Sequence, residues 1–248
     1  MSEGIAHQST APANEVTSVP LVYVDGLVKH YTDAGRLVRV LEGVHLEVRP
    51  AEKVAIVGES GVGKSTLLHI LGALDRPTSG VVRYADADLN SLSARALAAF
   101  RNREIGFVFQ FHHLMADLTA EENVMMPALI AGFAWDSARR EAREILARVG
   151  LSDRLEHKPG ELSGGEQQRV SVARAVVLSP RVLLADEPTG NLDPATGEEV
   201  QRLIMELNAE RGVALIVVTH NPRLAAAMDR VMRLREGRLE PAAGVAPA

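Results

Sequence analysis

The 248-residue chain contains no cysteine, which excludes disulfides and cysteine-ligated metals and fits a reducing compartment. Long hydrophobic runs are also missing. The longest candidate, Val213 to Val218, has the length of a strand, far short of the roughly 18 apolar residues that mark a membrane helix. The first twenty residues carry Glu3 and Glu15 and no apolar core. No secretory signal is therefore expected, and the chain should remain on the side of the membrane where it is made. Nor is there a surplus of positive charge. With 27 Lys and Arg against 32 Asp and Glu, the net charge is -5, which gives no electrostatic reason to expect nucleic acid as a ligand. No stretch is rich enough in proline, glycine or serine to divide the chain into separate domains, and no internal repeat is visible.

What is present reads as a soluble globular protein, 46% hydrophobic and 24% charged, long enough for one or two domains around a sizeable core. Residues 1–18 are small and polar and read as a disordered segment, residues 19–240 as the ordered domain, and residues 241–248 as a loose tail. Short apolar runs at 21–24, 45–48, 54–57, 107–109, 182–185 and 215–218 read as strands. Helical patterns lie between them. Thr119 and Glu122 form a capping box before a helix running toward Ile130, and Asp136 is expected to cap a helix ending at Gly150. Continuous apolar strands alternating with helices predict an α/β fold with a mainly parallel sheet covered on both faces. The period-two alternation of Val44, Leu46 and Val48 predicts an antiparallel β portion beside it.

Residues 58–66, GESGVGKST, follow the strand pattern VAIV and precede the helical pattern TLLHILGAL. Strand, glycine loop and helix together form a phosphate-binding loop. In it Gly58, Glu59, Ser60, Gly61, Val62 and Gly63 offer backbone N–H groups to phosphate oxygens at a helix N-terminus. Lys64 reaches toward the β and γ phosphates, Ser65 is placed to ligate Mg²⁺, and Thr66 sits beside it. A second motif, VLLADE at 182–187, is a buried-strand pattern ending in two carboxylates. Asp186 is the candidate for holding Mg²⁺, and Glu187 for the general base that orients the attacking water. The alternative for each motif is plain structure: a strand-to-helix turn and a solvated strand end.

LSGGEQQRV at 162–170 provides a second glycine-rich helix start and resembles the signature motif of ABC-transporter ATPase subunits. The remaining motifs of that family occur in order over residues 20–238. The resemblance implies a P-loop NTPase core of RecA type, an antiparallel β subdomain and a helical subdomain spanning about 111–165. It implies ATP and Mg²⁺ as ligands and transport-coupled ATP hydrolysis. Gln110 matches the glutamine that senses Mg²⁺ and the attacking water, Asn191 to Asp193 the loop that crosses the dimer interface, and His220 the histidine that contacts the γ-phosphate. Tyr31 matches the aromatic that stacks on adenine. Ser163, Gly164 and Gly165 would face the nucleotide of a second copy, so the site would be shared by a homodimer.

Two further stretches, LGALDRPTSG at 71–80 and FQFHHLMADLTAEENVMMP at 109–127, resemble the ATPases of lipoprotein-releasing systems, the LolD family, with macrolide-export and cell-division ATPases as relatives. That resemblance implies a peripheral subunit on the cytoplasmic face of the bacterial inner membrane. Two integral-membrane permease subunits of LolC/LolE type would dock near 109–127, and cargo lipoproteins would be reached only through them. Phe111, Leu114, Met115, Met125 and Met126 are candidates for the docking surface or for core. A macrolide- or peptide-export ATPase is the runner-up. A soluble ABC protein of the ribosome or of DNA repair is disfavoured, because such proteins usually carry two cassettes or long insertions.

Overall fold

Two sheets face each other across one helix. The computed structural model describes residues 19–33 and 35–242; the expectations for residues 1–18 and for the last six residues lie outside this range. The larger sheet has six strands in the order β10-β9-β3-β8-β7-β6: β3 (Lys53–Val57), β6 (Ile105–Phe109), β7 (Val182–Asp186), β8 (Ala214–Val218), β9 (Arg230–Arg235) and β10 (Arg238–Pro241). All neighbours pair in parallel except β10 with β9. The smaller sheet is antiparallel, in the order β2-β1-β4-β5. Its long hairpin joins β1 (Val22–Asp33) to β2 (Arg36–Val48), and β4 (Ser79–Tyr84) and β5 (Ala87–Asp88) complete it.

Helix α1 (Lys64–Leu71) lies between the sheets and buries Leu67, Leu68, Ile70 and Leu71, each worth about 1.5–3 kcal/mol as a fully buried aliphatic side chain. The other helices are α2 (Ala94–Glu104), α3 (Ala120–Ile130), α4 (Trp135–Arg148), α5 (Gly164–Val176), α6 (Pro194–Arg211) and α7 (Pro222–Ala226). Side chains alternate across a strand, and the parallel strands use both directions. Leu183, Ala185, Leu215 and Val217 enter the core shared with α3 to α6. Val182, Leu184, Ile216 and Val218 enter the core shared with α1 and the antiparallel sheet. This is why the runs Val182–Ala185 and Ala214–Val218 are apolar at successive positions.

The six expected strands are all present, and the capping box of Thr119 and Glu122 starts α3 as expected. Three details differ. Asp136 does not cap α4: Ala134 occupies the cap without a side-chain bond, and Asp136 sits in the first turn, where the helix dipole favours a carboxylate. β4, β5, β9 and β10 carry mixed polar patterns and were not expected as strands. The ordered fold also reaches past residue 240. Pro241 ends β10, and the Ala242 N–H donates to the Val231 carbonyl at 3.0 Å.

The order β3-β8-β7-β6 places the carboxyl ends of four neighbouring parallel strands in one row. In open α/β sheets this is the edge where ligands are held.

Candidate active site

The loop after β3 is shaped by its glycines. A Cβ at Gly58 would lie 2.5 Å from the Leu234 carbonyl oxygen. Gly63 has φ 108 and would push a Cβ to 2.7 Å from Val40 Cγ1, so a side chain there is excluded by both conformation and space. Lys64 follows at the first position of α1. Its Nζ donates to the carbonyls of Gly58 (2.9 Å) and Glu59 (2.8 Å), which arches the loop around the ammonium.

The row of strand ends brings the other candidates to this loop. Gln110 follows β6, Asp186 ends β7, and Thr219 and His220 follow β8. Lys64, Ser65 and Thr66 border a cleft of about 500 Å³ with Gln110, Asp186, Glu187 and His220, while Thr219 lies behind its lining. Glu187 has φ 45, a left-handed conformation that costs a non-glycine residue about 1–3 kcal/mol and is typical of functional positions. Its carboxylate is held on both oxygens. His220 Nδ1 lies 2.7 Å from Oε1, and the Thr219 hydroxyl donates to Oε2 at 3.1 Å. Gln110 Nε2 donates to Asn191 Oδ1 at 2.9 Å, and Asn191 Nδ2 returns a bond to the Gln110 carbonyl at 3.1 Å.

Two contributors were not singled out from sequence. Thr219 is one. The other is Gln168, buried on α5, whose Nε2 donates to the carbonyls of Pro188 (2.7 Å) and Phe109 (3.3 Å). These residues adjoin Glu187 and Gln110, so Gln168 ties the two strand ends together. The only sequence signal was a polar residue at a core-facing position of a helix.

The oxygen donors Ser65, Gln110 and Asp186 suit Mg²⁺, which takes one or two protein oxygens and completes its octahedron with water and substrate phosphates. Among the described residues there is no group of three or more His, Cys, Asp or Glu that could hold a metal by itself. A larger groove of about 860 Å³ adjoins the loop on its other side. Its lining mixes aliphatic residues with Arg233, Arg235 and Glu236 and includes neither Lys64 nor Glu187, so the smaller cleft gathers the candidate catalytic groups.

The glycine-rich segment of α5 lies elsewhere. Ser163, Gly164, Gly165 and Asp193 do not line the cleft. Ser163 caps α5 in a capping box with Glu166. The Glu166 carboxyl is held down to about 2 by the Ser163 N–H, the Ser163 hydroxyl and Arg154, in that order. Asp193 caps α6, accepting from the Thr196 N–H at 3.1 Å; the Thr196 side chain first, and then this backbone bond, lower its carboxyl below the usual range. A Cβ at Gly165 would meet Thr196 Cγ2 at 2.3 Å. The two capped helix starts therefore pack together beside the cleft's neighbouring loop, with Ser163, Gly164 and Asp193 not fully buried.

The sequence profile of the family described as ABC transporter matches residues 41–190. The lipoprotein-releasing system ATP-binding protein LolD of Geobacter metallireducens is 58% identical over 219 residues, 88% of this chain and 97% of that protein. Its namesake from Syntrophotalea carbinolica is 55% identical over 88% of this chain and 96% of its own length. The chain belongs to the ABC transporter ATPase family. A solved dimeric ATP-binding cassette, in a post-hydrolysis state bound to ADP and Pi, superposes on this ABC ATPase with a TM-score of 0.82. It is 38% identical, over 89% of this chain and 98% of the other.

The ABC ATPase has a further groove of about 440 Å³ between the strand β6 and the helices α2, α3 and α5; Leu74, Phe107, Phe109, His113, Pro127 and Ile130 line it. The mostly buried Arg174 of α5 shapes its floor, donating to the carbonyls of His113 (2.7 Å) and His112 (2.8 Å). The segment 109–127 thus contributes through Phe109, His113 and Pro127. None of the five apolar docking candidates lines this groove. Met125 is fully buried core, Leu114 and Met126 are half-buried, and Phe111 and Met115 are exposed at 67% and 47%. Helical spacing alone does not separate a core methionine from a surface one.

Tyr31 stands 41% exposed on β1, opposite Val38 of β2. It does not line the cleft, but Val40, two residues beyond Val38, does.

Proposed function

We propose that the chain is the ATP-hydrolysing subunit of a lipoprotein-releasing ABC system, working as a homodimer beneath two integral-membrane permease subunits of LolC/LolE type at the cytoplasmic face of the bacterial inner membrane. Residues 19–240 form the ATPase domain, with residues 111–165 as its helical subdomain. The observation that carries the hydrolytic part is Glu187, held at its strained backbone position by Thr219 and His220 beside the phosphate loop. The cargo and membrane reading is supported by the two relatives named for lipoprotein release, matched along almost their whole length.

In this reading the N–H groups of residues 58–66 and the start of α1 bind the triphosphate, and Lys64 leaves its loop carbonyls for the phosphates. Ser65, Asp186 and Gln110 would hold Mg²⁺, which when bound neutralises charge on the phosphate oxygens. Glu187 orients a water and takes its proton. His220 steadies the Glu187 carboxylate and, lining the same cleft, would contact the terminal phosphate. The Ser163–Gly165 surface of a second copy supplies further N–H donors over the cleft, and Asp193 lies at that junction. Tyr31 stacks on the adenine ring.

The test is gentle solubilisation of membranes followed by purification of this subunit. Two different permease subunits with large periplasmic domains, whose loss blocks lipoprotein release, are the expected companions. Recovery of an amino-acid importer permease overturns the transport assignment.

A further inference from the structure

We propose that Lys29 and Asp75 form a clamp that holds the Tyr31 ring in place as a platform for the nucleotide base, which makes both of them positioning residues for ATP. The inference rests on the reading of Tyr31 as the base-stacking aromatic. It gives a use to the stretch LDRPTSG at 74–80, which the phosphate chemistry leaves without one.

The contacts converge on the phenol ring. The Tyr31 hydroxyl donates to Asp75 Oδ2 at 2.8 Å. The other carboxylate oxygen, Oδ1, accepts from Lys29 Nζ at 2.7 Å and from the Arg76 N–H at 2.7 Å. Lys29 also donates to the Arg76 carbonyl at 2.8 Å, and its Nζ stands 4.6 Å from the centroid of the Tyr31 ring. Lys29 is only 8% exposed, which is unusual for a lysine unless it is paired. Tyr31 is fastened at its hydroxyl and covered on one face by an ammonium, yet it remains 41% exposed. That exposed part of the side chain can receive a flat ligand.

Neighbouring bonds carry the clamp to the backbone. The Thr78 N–H donates to the Val28 carbonyl at 2.8 Å, and the His30 N–H donates to Thr78 Oγ1 at 3.0 Å. The segment that carries Asp75 is therefore stitched to β1 on both sides of Lys29. The ionisation of the group agrees with this arrangement. Burial works to raise the Asp75 carboxyl, but the bonds from Lys29 and Tyr31 outweigh it and hold it below its usual range. Burial and then the Asp75 bond raise the Tyr31 phenol.

The physical gain is preorganisation. A free tyrosine must lose its side-chain torsional freedom when a base stacks on it, whereas a tethered ring has lost that freedom already. The clamp therefore affects the base contribution to affinity and not the phosphate contribution. Two probes separate them: MgATP, which uses both, and inorganic tripolyphosphate, which has no base.

The experiment is calorimetric titration of the full chain with each probe, alongside steady-state ATP hydrolysis. Stacking on one aromatic is worth enough that Tyr31→Ala should weaken MgATP by about tenfold. Asp75→Ala and Lys29→Met should each weaken it by about three- to fivefold, as should Tyr31→Phe, which keeps the ring and removes only the tether. All four should bind tripolyphosphate like the wild type and keep its kcat, with KM for ATP raised. Tyr31→Phe keeps the test decisive if the buried-pair variants fail to fold. Wild-type MgATP affinity in Tyr31→Phe and Asp75→Ala, with Tyr31→Ala weakened, overturns the clamp and leaves stacking standing. A parallel loss of tripolyphosphate binding also overturns it, because the group would then be supporting the loop. No effect of Tyr31→Ala overturns the stacking reading together with the clamp.

Discussion

At the residue scale the proposed chemistry rests on Glu187. Its carboxylate has two fixed partners and its backbone a left-handed conformation. Replacing it with glutamine keeps the size and one acceptor oxygen but turns the other oxygen into an amide donor and removes the base. Glu187→Gln should bind MgATP with unchanged affinity and hydrolyse it about 10²–10⁴-fold more slowly, the usual worth of a general base. Phosphate release under saturating ATP checks this, and turnover at the wild-type level would remove Glu187 from the role. Residues of this kind were legible in the sequence because their spacing is tied to elements that announce themselves. An apolar strand ending in Asp186 and Glu187, or a glycine loop ending in Lys64, leaves little freedom of placement. Gln168, Thr219, Lys29 and Asp75 were not legible. They act across long sequence separations, and a single polar residue on a helix or strand carries no signature of what it will meet.

At the scale of elements, the start of α5 is the most constrained structure outside the cleft. Gly165 is required there by the methyl group of Thr196. Gly165→Ala should therefore lower stability by about 1–3 kcal/mol, the range for overpacking. Adding Thr196→Ser, which removes that methyl, should recover most of the loss in thermal unfolding. The cap on the same helix makes stability depend on pH. Glu166 is held down to about 2 against an ordinary value of 4.5. A carboxyl with a depressed folded-state pKa adds stability that is complete above its unfolded value and is lost as pH falls toward the folded one. The difference in melting temperature between wild type and Glu166→Gln should be full at neutral pH and shrink below 4.5; a constant difference would place the effect in packing instead of charge. The helix start was readable from the Ser-x-x-Glu pattern. Asp136 misled because the same pattern logic accepts any acidic residue near a helix start, while the chain began α4 at Trp135. The strands β9 and β10 escaped notice because Arg230, Arg233, Arg235 and Arg238 interrupt their apolar runs.

For the whole molecule, the topology does two jobs. The parallel strand order gathers loop, glutamine and carboxylates at one edge. Helix α5 presents the Ser163 surface at one end and, through Arg174 near the other, supports the groove lined by Leu74 and Ile130. Both are exposed, at 47% and 67%, and neither touches the cleft. Leu74→Asp and Ile130→Asp should leave folding and MgATP binding intact while abolishing co-purification of the permease subunits; retention of the permeases would move the docking surface elsewhere. The sequence pointed to 109–127 as a candidate docking segment but not to which of its residues face outward, because exposure there is set by how α3 leans on α4 and α5.

The shared site is the claim on which the functional account turns, and Ser163→Asp tests it most directly. Aspartate still caps the helix, so the fold should survive, but it presents a negative charge where the phosphates of a second copy would lie. The account predicts unchanged MgATP affinity, loss of hydrolysis, and return of hydrolysis on mixing with Lys64→Ala, because one loop and one signature surface are then intact in the mixed pair. Wild-type hydrolysis by Ser163→Asp alone would contradict it.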